Sequence, residues 1–371
     1  MRIFGTVLLV AWTLLLLYVC GRAWTVPAIR RRVPRGAFLV GAGALWLAFA
    51  VPRLFLHGGG GRAGAVLELF GLSAMATLFI IAVALLAVDV VTGFGLLFPR
   101  RAPALRGWAL AAGAALAGFA VFQGTRPPVV TPSEVRLRGL PAALDGTVIV
   151  ALSDTHLGEL LDGEWLAARG AQVAAERPDV VVLLGDLVEG HGADETRLLR
   201  ELGRLRAPRA VYAVTGNHER FGGGAALATL EEAGVRVLHD RWVEAAPGLV
   251  LAGVDDLTSR RRAKERGDPV GGAVSGRPPG ALVLLSHSPL EVERAARAGV
   301  GLMLSGHTHA GQIWPFGYLV RLQYPYLAGR YEVGGMTLIV GRGTGTWGTR
   351  MRLWAPGEIL RVTLRAEPGV L

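Results

Sequence analysis

Four long apolar stretches before residue 125 constrain the fold of this 371-residue chain more than any other feature. They cover residues 3–19, 37–56, 69–98 and 105–122. A helix needs about 20 mostly apolar residues to cross a bilayer, and each stretch approaches that length. The first could instead be a signal peptide, but Arg2 is its only preceding charge and the residues before Cys20 make a poor cleavage signal. We therefore predict a multi-pass membrane module of about four helices over residues 1–124.

Arginines in the loops between these stretches predict the orientation of the module. The first loop carries Arg22, Arg30, Arg31, Arg32 and Arg35, and the third carries Arg100, Arg101 and Arg106. The second loop has only Arg53 and Arg62, and Arg126 follows the last stretch. Because cytoplasmic loops are enriched in arginine, loops one and three are expected inside the cell. Everything after residue 124 is then expected on the extracytoplasmic side of the cell membrane. Asp89 is expected to be hydrated near the interface, close to Arg100.

Composition excludes several classes of protein. The hydrophobic share is 51% and the charged share 18%, which is too apolar for a purely soluble protein of this size. The single cysteine, Cys20, rules out a disulfide framework or a thiolate metal site within one chain. The net charge of +10 is carried by scattered arginines without a basic helix, so nucleic acid is not favoured as a partner.

The chain changes character after the last apolar stretch. Residues 125–146 are rich in proline and are predicted to be a linker. From residue 147, short apolar runs alternate with helical stretches, which predicts an α/β domain over residues 147–371. Strands are expected at 147–153, 179–184, 210–215, 249–254, 281–286 and 301–305, with late strands at 337–340 and 358–364. Residues 259–280 carry a basic run followed by glycine and proline. They are expected to form a mobile, solvated loop in preference to a phosphate or headgroup contact.

Polar residues of the kind that bind metals follow each of the main predicted strands. They are Asp154 and His156, then Asp186, then Asn217 with His218 and Glu219, then His287, and finally His307 and His309. If the last strand continues, His307 and His309 face the same way. Taken singly, each residue has an ordinary explanation, such as a helix cap, a turn or a core histidine. Taken in order, the set favours metal binding.

The number and type of these ligands favour two ions. Oxygen and imidazole ligands without thiolate suit Mn, Fe or Zn. Seven of these residues are too many for one tetrahedral ion, but they suit two ions with a bridging carboxylate: Asp154, His156, Asp186, Asn217, His287, His307 and His309. Two ions roughly 3.5–4 Å apart can clamp a phosphoryl group and activate a water molecule.

The ordered set Asp-x-His, Gly-Asp, Gly-Asn-His-Glu, His and Gly-His-x-His resembles the calcineurin-like metallophosphoesterase superfamily over residues 147–364. The sequences GHTHAGQ (306–312) and GRGTG (341–345) resemble its membrane-associated branch of YkuE/YaeI-like phosphodiesterases. Ala310 departs from that branch, where glycine is common. The implied fold is a sandwich of two β-sheets flanked by helices.

The resemblance also implies a role for each motif residue. It places Asp154, His156 and His309 on the first metal and Asn217, His287 and His307 on the second, with Asp186 bridging. His218 would contact the phosphate and protonate the leaving oxygen. Glu219 would orient His218 or a metal ligand.

Together these features predict a membrane-anchored metal-dependent phosphohydrolase, a phosphodiesterase or pyrophosphatase that uses in-line attack of metal-activated water. The alternative is a membrane sensor or scaffold that binds a phosphoester without turning it over. Trp314, Phe316 and Tyr318 lie just after the last ligands. They are candidates for an apolar substrate pocket or a membrane contact, with core packing as the equal alternative. They favour a lipid-linked phosphoester as the substrate and the lipid bilayer as a partner.

Overall fold

The computed structural model describes residues 2–56, 61–158, 160–189, 193–222 and 225–367. The chain divides into two compact units. The first comprises Met1–Thr125 together with the short segment Gly348–Trp354, and the second comprises Arg126–Trp347 and Ala355–Leu371. Seven residues that the sequence assigned to the α/β domain therefore group with the helices: the Arg352 amide donates to the Ala120 carbonyl at 2.9 Å.

The first unit is helical. Its helices are α1 (Arg2–Trp24), α2 (Pro27–Arg32), α3 (Arg35–Val51), α4 (Gly61–Val91) and α5 (Ala102–Thr125). Four segments are long and apolar enough to cross a membrane: Gly5–Trp24, Arg35–Leu54, Val66–Val91 and Ala102–Thr125. The prediction of four apolar helices is confirmed. The short helix α2 begins with Pro27, whose missing N–H costs nothing in a first turn.

Asp89 is buried inside the helical unit, so the prediction that it is hydrated near Arg100 was wrong. Its carboxylate lies 2.6 Å from Arg22 Nε and 2.8 Å from Arg106 Nη2. The Tyr18 hydroxyl donates a further hydrogen bond at 2.9 Å. Tyr18 and Arg22 are four residues apart on α1 and so share one helix face. A carboxylate removed from water needs partners of this kind, and here α1 and α5 supply them to α4.

The second unit contains two six-stranded sheets. The first has the order β1-β12-β2-β3-β4-β5, and the second has the order β10-β11-β9-β8-β7-β6. The first sheet is built from β1 (Val129–Leu137), β2 (Val148–Leu152), β3 (Val180–Leu183), β4 (Val211–Ala213), β5 (Arg236–Val237) and β12 (Glu358–Ala366). The second is built from β6 (Arg241–Ala246), β7 (Leu249–Gly253), β8 (Ala281–Leu285), β9 (Leu302–Ser305), β10 (Gly329–Val333) and β11 (Met336–Val340).

The two sheets pack face to face, as the predicted sandwich requires. One buried apolar cluster draws residues from both, among them Ile149 and Val182 of the first and Leu251 and Val283 of the second. Strands β2 to β5 run parallel to one another, as do β7, β8, β9 and β11. The carboxyl ends of parallel strands meet at one edge of a sheet, which brings the loops that follow them together.

Among the described residues, the second unit contains eight α-helices, six of which contribute buried apolar side chains to clusters with the sheets. The eight are α6 (Gly163–Ala175), α7 (Ala193–Leu202), α8 (Asn217–Gly222), α9 (Ala225–Glu232), α10 (Leu257–Arg262), α11 (Pro269–Val274), α12 (Val292–Arg297) and α13 (Gly317–Arg321). Two of them, α10 and α11, occupy the region that was predicted to be a mobile loop, and that prediction was wrong. Asp256 and Asp268 accept hydrogen bonds from the first turns of α10 and α11, and Val270 of α11 is buried. These caps and the buried side chain order the segment.

The predicted linker contains a strand that its prolines concealed. β1 pairs in parallel with β12 over nine residues, and Pro132 lies opposite Arg361. Because β1 is an edge strand, Pro132 interrupts no ladder to a further strand. Only the residues before Val129 and after Leu137 connect elements as a linker does.

Candidate metal centre

The residues singled out at the strand ends lie in sharp turns, and five of them have left-handed backbones. The φ angles are 53° at Asp154, 44° at His156, 51° at Asp186, 71° at His307 and 49° at His309. Non-glycine residues seldom adopt positive φ, and such conformations cluster at functional sites. The strand geometry expected for His307 and His309 therefore does not apply: the chain turns at both, and they join different clusters.

Asp154, His156 and His309 form the first cluster. All three are buried. His309 Nε2 lies 3.3 Å from Asp154 Oδ1, and the Nε2 atoms of His156 and His309 face each other at 3.1 Å. A group of two imidazoles and a carboxylate with converging ligand atoms is suited to a divalent cation.

Asp186, His287 and His307 form the second cluster. His287 Nε2 lies 3.2 Å from Asp186 Oδ2 and 3.1 Å from His307 Nδ1. The other ring nitrogen of His287 donates to the Leu184 carbonyl at 2.7 Å. A hydrogen bond of this kind fixes the tautomer and leaves Nε2 available as a ligand. His287 Nε2 is also 4.0 Å from Asp154 Oδ1, so the two clusters adjoin.

Three observations show that these residues fit metal ions. Asn217 Oδ1 is buried and has no hydrogen-bond partner among the described residues. Such an orphaned oxygen calls for a ligand. In both clusters, two imidazole nitrogens face each other at hydrogen-bond distance, where a shared cation could replace a shared proton. Sulfur is absent from both clusters, so the donor set is the one expected for Mn, Fe or Zn.

The electrostatics of the site keep its carboxylates ionised. Burial alone would raise the pKa of Asp154, but His309 and its neighbours hold that pKa well below its usual value. The pKa of Asp186 is likewise lowered, because the neighbouring His287 outweighs the effect of burial. Burial and the neighbouring His287 lower the pKa of His307 to about 4. Ionised carboxylates and a neutral imidazole are the states in which these groups bind metals.

Glu219 holds together the loops that carry the candidate ligands. Its carboxylate accepts hydrogen bonds from the backbone amides of Asp186 at 2.9 Å, Leu187 at 2.6 Å and Gly216 at 2.7 Å. Burial and the charge of Asp186 raise the pKa of Glu219, although the amides oppose them. The structure thus places Glu219 against the backbone of Asp186, whereas the motif suggested a contact with His218 or a ligand side chain.

His218 lies beside the clusters with its side chain half-buried. Its backbone amide donates to Asp186 Oδ1 at 2.9 Å, and its ring Nε2 is 3.9 Å from Asp186 Oδ2. Nδ1 of the same ring is 3.8 Å from Glu189 Oε1. The imidazole is therefore held next to the candidate ligands with part of its surface open to solvent.

Glu189 is the functional candidate that the sequence analysis missed. Its Oε1 lies 2.9 Å from His156 Nδ1, so it orients a candidate ligand as well as facing His218. Burial would raise the pKa of Glu189, but His156 lowers it and keeps the group charged. The one available signal was a carboxylate three residues after Asp186 in the same loop. Two further histidines, His191 and His57, lie outside the described residues.

Two glycines permit the loops to approach closely. A Cβ at Gly216 would overlap the Asp186 carboxylate, and a Cβ at Gly306 would overlap the Ser153 hydroxyl and Asp154. These contacts explain why glycine precedes Asn217 and His307.

Trp314, Phe316 and Tyr318 are exposed, with 43%, 45% and 64% of their surface accessible. The alternative in which they pack in the core is therefore wrong. None of the three belongs to a ligand cluster. They begin five residues after His309 and lead into α13.

Comparison with known proteins supports these observations. Residues 147–311 match the calcineurin-like phosphoesterase family. The chain is 35% identical over 264 residues to a transmembrane protein with metallophosphoesterase domain from Bos taurus, an alignment covering 67% of this chain and 60% of that protein. It is 34% identical to a metallophosphoesterase of Aquifex aeolicus, covering 59% of this chain and 85% of that protein. It is 30% identical to metallophosphoesterase YkuE of Bacillus subtilis, covering 70% of this chain and 94% of YkuE. This chain thus spans about three fifths of the bovine protein's length.

Proposed function

This chain belongs to the calcineurin-like metallophosphoesterase family, and on that premise we propose that it is a membrane-anchored phosphodiesterase or pyrophosphatase with two metal ions. The observation that carries the proposal is the pair of adjoining clusters, Asp154–His156–His309 and Asp186–His287–His307. Each cluster pairs its carboxylate with imidazole rings, and neither includes an arginine or a lysine, whose charge is permanent. An arrangement of this kind is suited to two ions and a phosphoryl group between them.

In the proposed assignment, Asp154, His156 and His309 would hold the first ion, and Asn217, His287 and His307 would hold the second. Asp186 would serve both ions, consistent with its contact to His287 and its position next to His218. Two bound ions would lower the pKa of a water molecule and neutralise charge on the phosphoryl oxygens.

The protein side chains supply the proton for the leaving oxygen. His218 is half-exposed beside the clusters and is free to contact a bound phosphoester. Histidine is the side chain that most often serves as a general acid, so this ring is suited to deliver a proton to the leaving oxygen. The Glu189 carboxylate, 3.8 Å from His218 Nδ1, stabilises the protonated ring through its charge. Glu219 holds the backbone of Asp186 in place.

A lipid-linked phosphoester is the proposed class of substrate. Four candidate membrane spans belong to the same chain as the second unit and would keep that unit at a bilayer. The exposed Trp314, Phe316 and Tyr318 follow the ligand His309 closely in the chain. A water-soluble substrate would require neither feature.

We further propose that the second unit faces the extracytoplasmic side. Arg22 and Arg106 both pair with the buried Asp89, so we leave them out of the count of loop arginines. Arg30, Arg31, Arg32, Arg35, Arg100 and Arg101 still outnumber the arginines of the other two segments, Arg53, Arg62 and Arg126. A reporter active only in the cytoplasm, fused after residue 371, is expected to stay silent. A reporter signal would contradict the orientation.

The reaction is tested on the full chain purified in detergent and loaded with Mn²⁺. We expect hydrolysis of a chromogenic phosphodiester or of a pyrophosphate bond, and a higher rate on a lipid-linked analogue. Preference for soluble cyclic nucleotides would overturn the lipid-linked substrate. Loading with two ions but no turnover on any of these substrates would instead favour a sensor that binds phosphoesters.

A further inference from the structure

Exposed apolar side chains of the second unit are concentrated in one short segment. Among the described residues, seven large hydrophobic side chains of this unit are exposed, and five of them lie within residues 314–322. The five are Trp314, Phe316, Tyr318, Leu319 and Leu322. Leu322 has 84% of its surface accessible, and α13 has no buried residue at all. Isolated surface leucines need no explanation, but a cluster of this size marks an interaction site.

A sixth member is Trp347, which is 47% exposed and fixed beside the start of the segment. Its backbone amide donates to Gln312 Oε1 at 2.9 Å, and Gln312 Nε2 donates back to its carbonyl at 3.0 Å. We call these six side chains the aromatic surface. This reciprocal pair of hydrogen bonds fixes the backbone of Trp347 beside the start of the aromatic surface.

The aromatic surface is connected to the metal centre at both ends. It begins five residues after His309, a member of the first cluster. It is followed by Tyr324, which is buried with its ring centroid 4.7 Å from that of His307 in the second cluster. A molecule bound on this surface would therefore lie near the entrance to the ligand clusters.

Basic side chains border the aromatic surface. Arg321, in the last turn of α13, is exposed. Arg261 and Arg262 of α10 are exposed as well. The Thr258 hydroxyl of α10 lies 3.0 Å from the Tyr324 hydroxyl, and Arg261 and Arg262 follow Thr258 by three and four residues, on the same face of that helix. At an anionic membrane surface, apolar side chains can enter the boundary with the acyl chains while arginines contact the headgroups. The exposed aromatic and leucine side chains and the neighbouring arginines match this arrangement.

We propose that the aromatic surface inserts into the interfacial region of the lipid bilayer, with the neighbouring arginines on the phosphates of anionic headgroups. Tryptophan and tyrosine favour this depth of the membrane. The candidate spans of the same chain keep the second unit at a bilayer, so the effective concentration of the occupant is high. The membrane contact does not depend on catalysis. Its consequence, that a lipid-linked phosphoester meets the metal centre at the interface, rests on the proposed function.

The test uses the full chain with Cys20→Ser, so that single cysteines can carry a nitroxide spin label. Labels at Tyr318→Cys and Leu322→Cys are compared with a label at Arg204→Cys, a control whose side chain is 75% exposed and outside the surface. The protein is reconstituted into vesicles of phosphatidylcholine with phosphatidylglycerol. Collision of the label with oxygen, which enters bilayers, is compared with collision with a water-soluble nickel chelate.

We expect the ratio of oxygen collisions to nickel collisions at positions 318 and 322 to exceed that at position 204 severalfold in these vesicles. The ratio at positions 318 and 322 should fall in vesicles of phosphatidylcholine alone. Equal ratios at all three positions would overturn the membrane contact. An unchanged ratio without phosphatidylglycerol would overturn the role of the arginines. Because all three sites are exposed, the labels should not disturb folding, and a Leu319→Cys label provides a further site if one variant does. The readout needs no turnover, so an inactive protein would refute the proposed function without affecting this result.

Discussion

The two units of this protein each bury carboxylates, and they neutralise them differently. In the helical unit, Asp89 is surrounded by two guanidinium groups and a phenol, with contacts of 2.6 to 2.9 Å. In the α/β unit, Asp154 and Asp186 are faced by imidazoles from His309 and His287. In the first arrangement, the Asp89 carboxylate has all of these partners within the helical unit. The second leaves Asn217 Oδ1 without a partner among the described residues.

The difference lies in what each partner can give up. An arginine keeps its proton under all ordinary conditions, so Asp89 and its partners form a permanent link between helices. A histidine can release its proton near neutrality, and a metal ion can then take the place of that proton. The buried carboxylate of the helical unit therefore links helices, whereas the buried carboxylates of the α/β unit are suited to binding metal ions.

The largest effect is expected from Asp186→Asn. Removal of the charge that we propose bridges the two ions should cost both ions and lower turnover by on the order of a thousandfold, because several kcal/mol of charge stabilisation are lost. Metal analysis and the initial rate on a phosphodiester measure the two losses together. Asp255→Asn is the matched control, since Asp255 pairs with His239 outside the ligand clusters and should leave both quantities unchanged. A fully active Asp186→Asn enzyme would refute the bridging role.

Asp89→Asn should instead destabilise without touching catalysis. It leaves the Arg106 guanidinium buried beside a neutral amide, a change that costs about 3 kcal/mol when one member of a buried ion pair is lost. Thermal unfolding of the full chain in detergent should shift downwards, while the rate per folded molecule is retained. Glu68→Gln removes a partly exposed partner of Arg53 and should have almost no effect. Equal shifts for the two variants would show that Asp89 is no structural link.

His218→Ala is expected to separate metal binding from turnover. Both ions should remain, and the rate should fall about a hundredfold, at the lower end of what a general acid contributes. His239→Ala serves as the control, because His239 contacts Asp255 rather than the ligand clusters. The assignment of His218 fails if the variant retains full rate on a phosphodiester.

Glu219→Gln should produce the smallest change. The amide still accepts hydrogen bonds but also brings an NH₂ group towards the three backbone donors at Asp186, Leu187 and Gly216. Metal affinity should fall about tenfold, as expected for residues that orient ligands. Titration with Mn²⁺ followed by activity measures this affinity. An unchanged midpoint would mean that the loop holds its shape without Glu219.

Most residues of the candidate site could be singled out from sequence, because the candidate ligands follow strands whose carboxyl ends converge. Asp154, Asp186 and His287 each come within three residues of a buried strand. Glu189 could not be predicted, since a lone loop carboxylate carries no pattern. Nor could the left-handed turns at His307 and His309, which arise from tertiary contacts such as the amide of His307 on Asp154.

The fold was predictable where the apolar patterns were long or strongly buried. Four apolar helices and eight strands were expected and are present, whereas β1, β5, β6 and β10 were missed. β1 is an edge strand that tolerates Pro132, and β10 exposes most of its side chains, so neither has the apolar run of a central strand. The partners of Asp89 were missed because α1 and α5 are distant in sequence and only packing brings Arg22 and Arg106 together.

The central claim is that the two carboxylate–imidazole clusters are a dinuclear metal site. The most direct test is the metal content of the full chain after loading with Mn²⁺ and removal of free ion, measured by mass spectrometry against protein concentration. We predict two ions per chain. One ion, or none, in folded protein would contradict the claim.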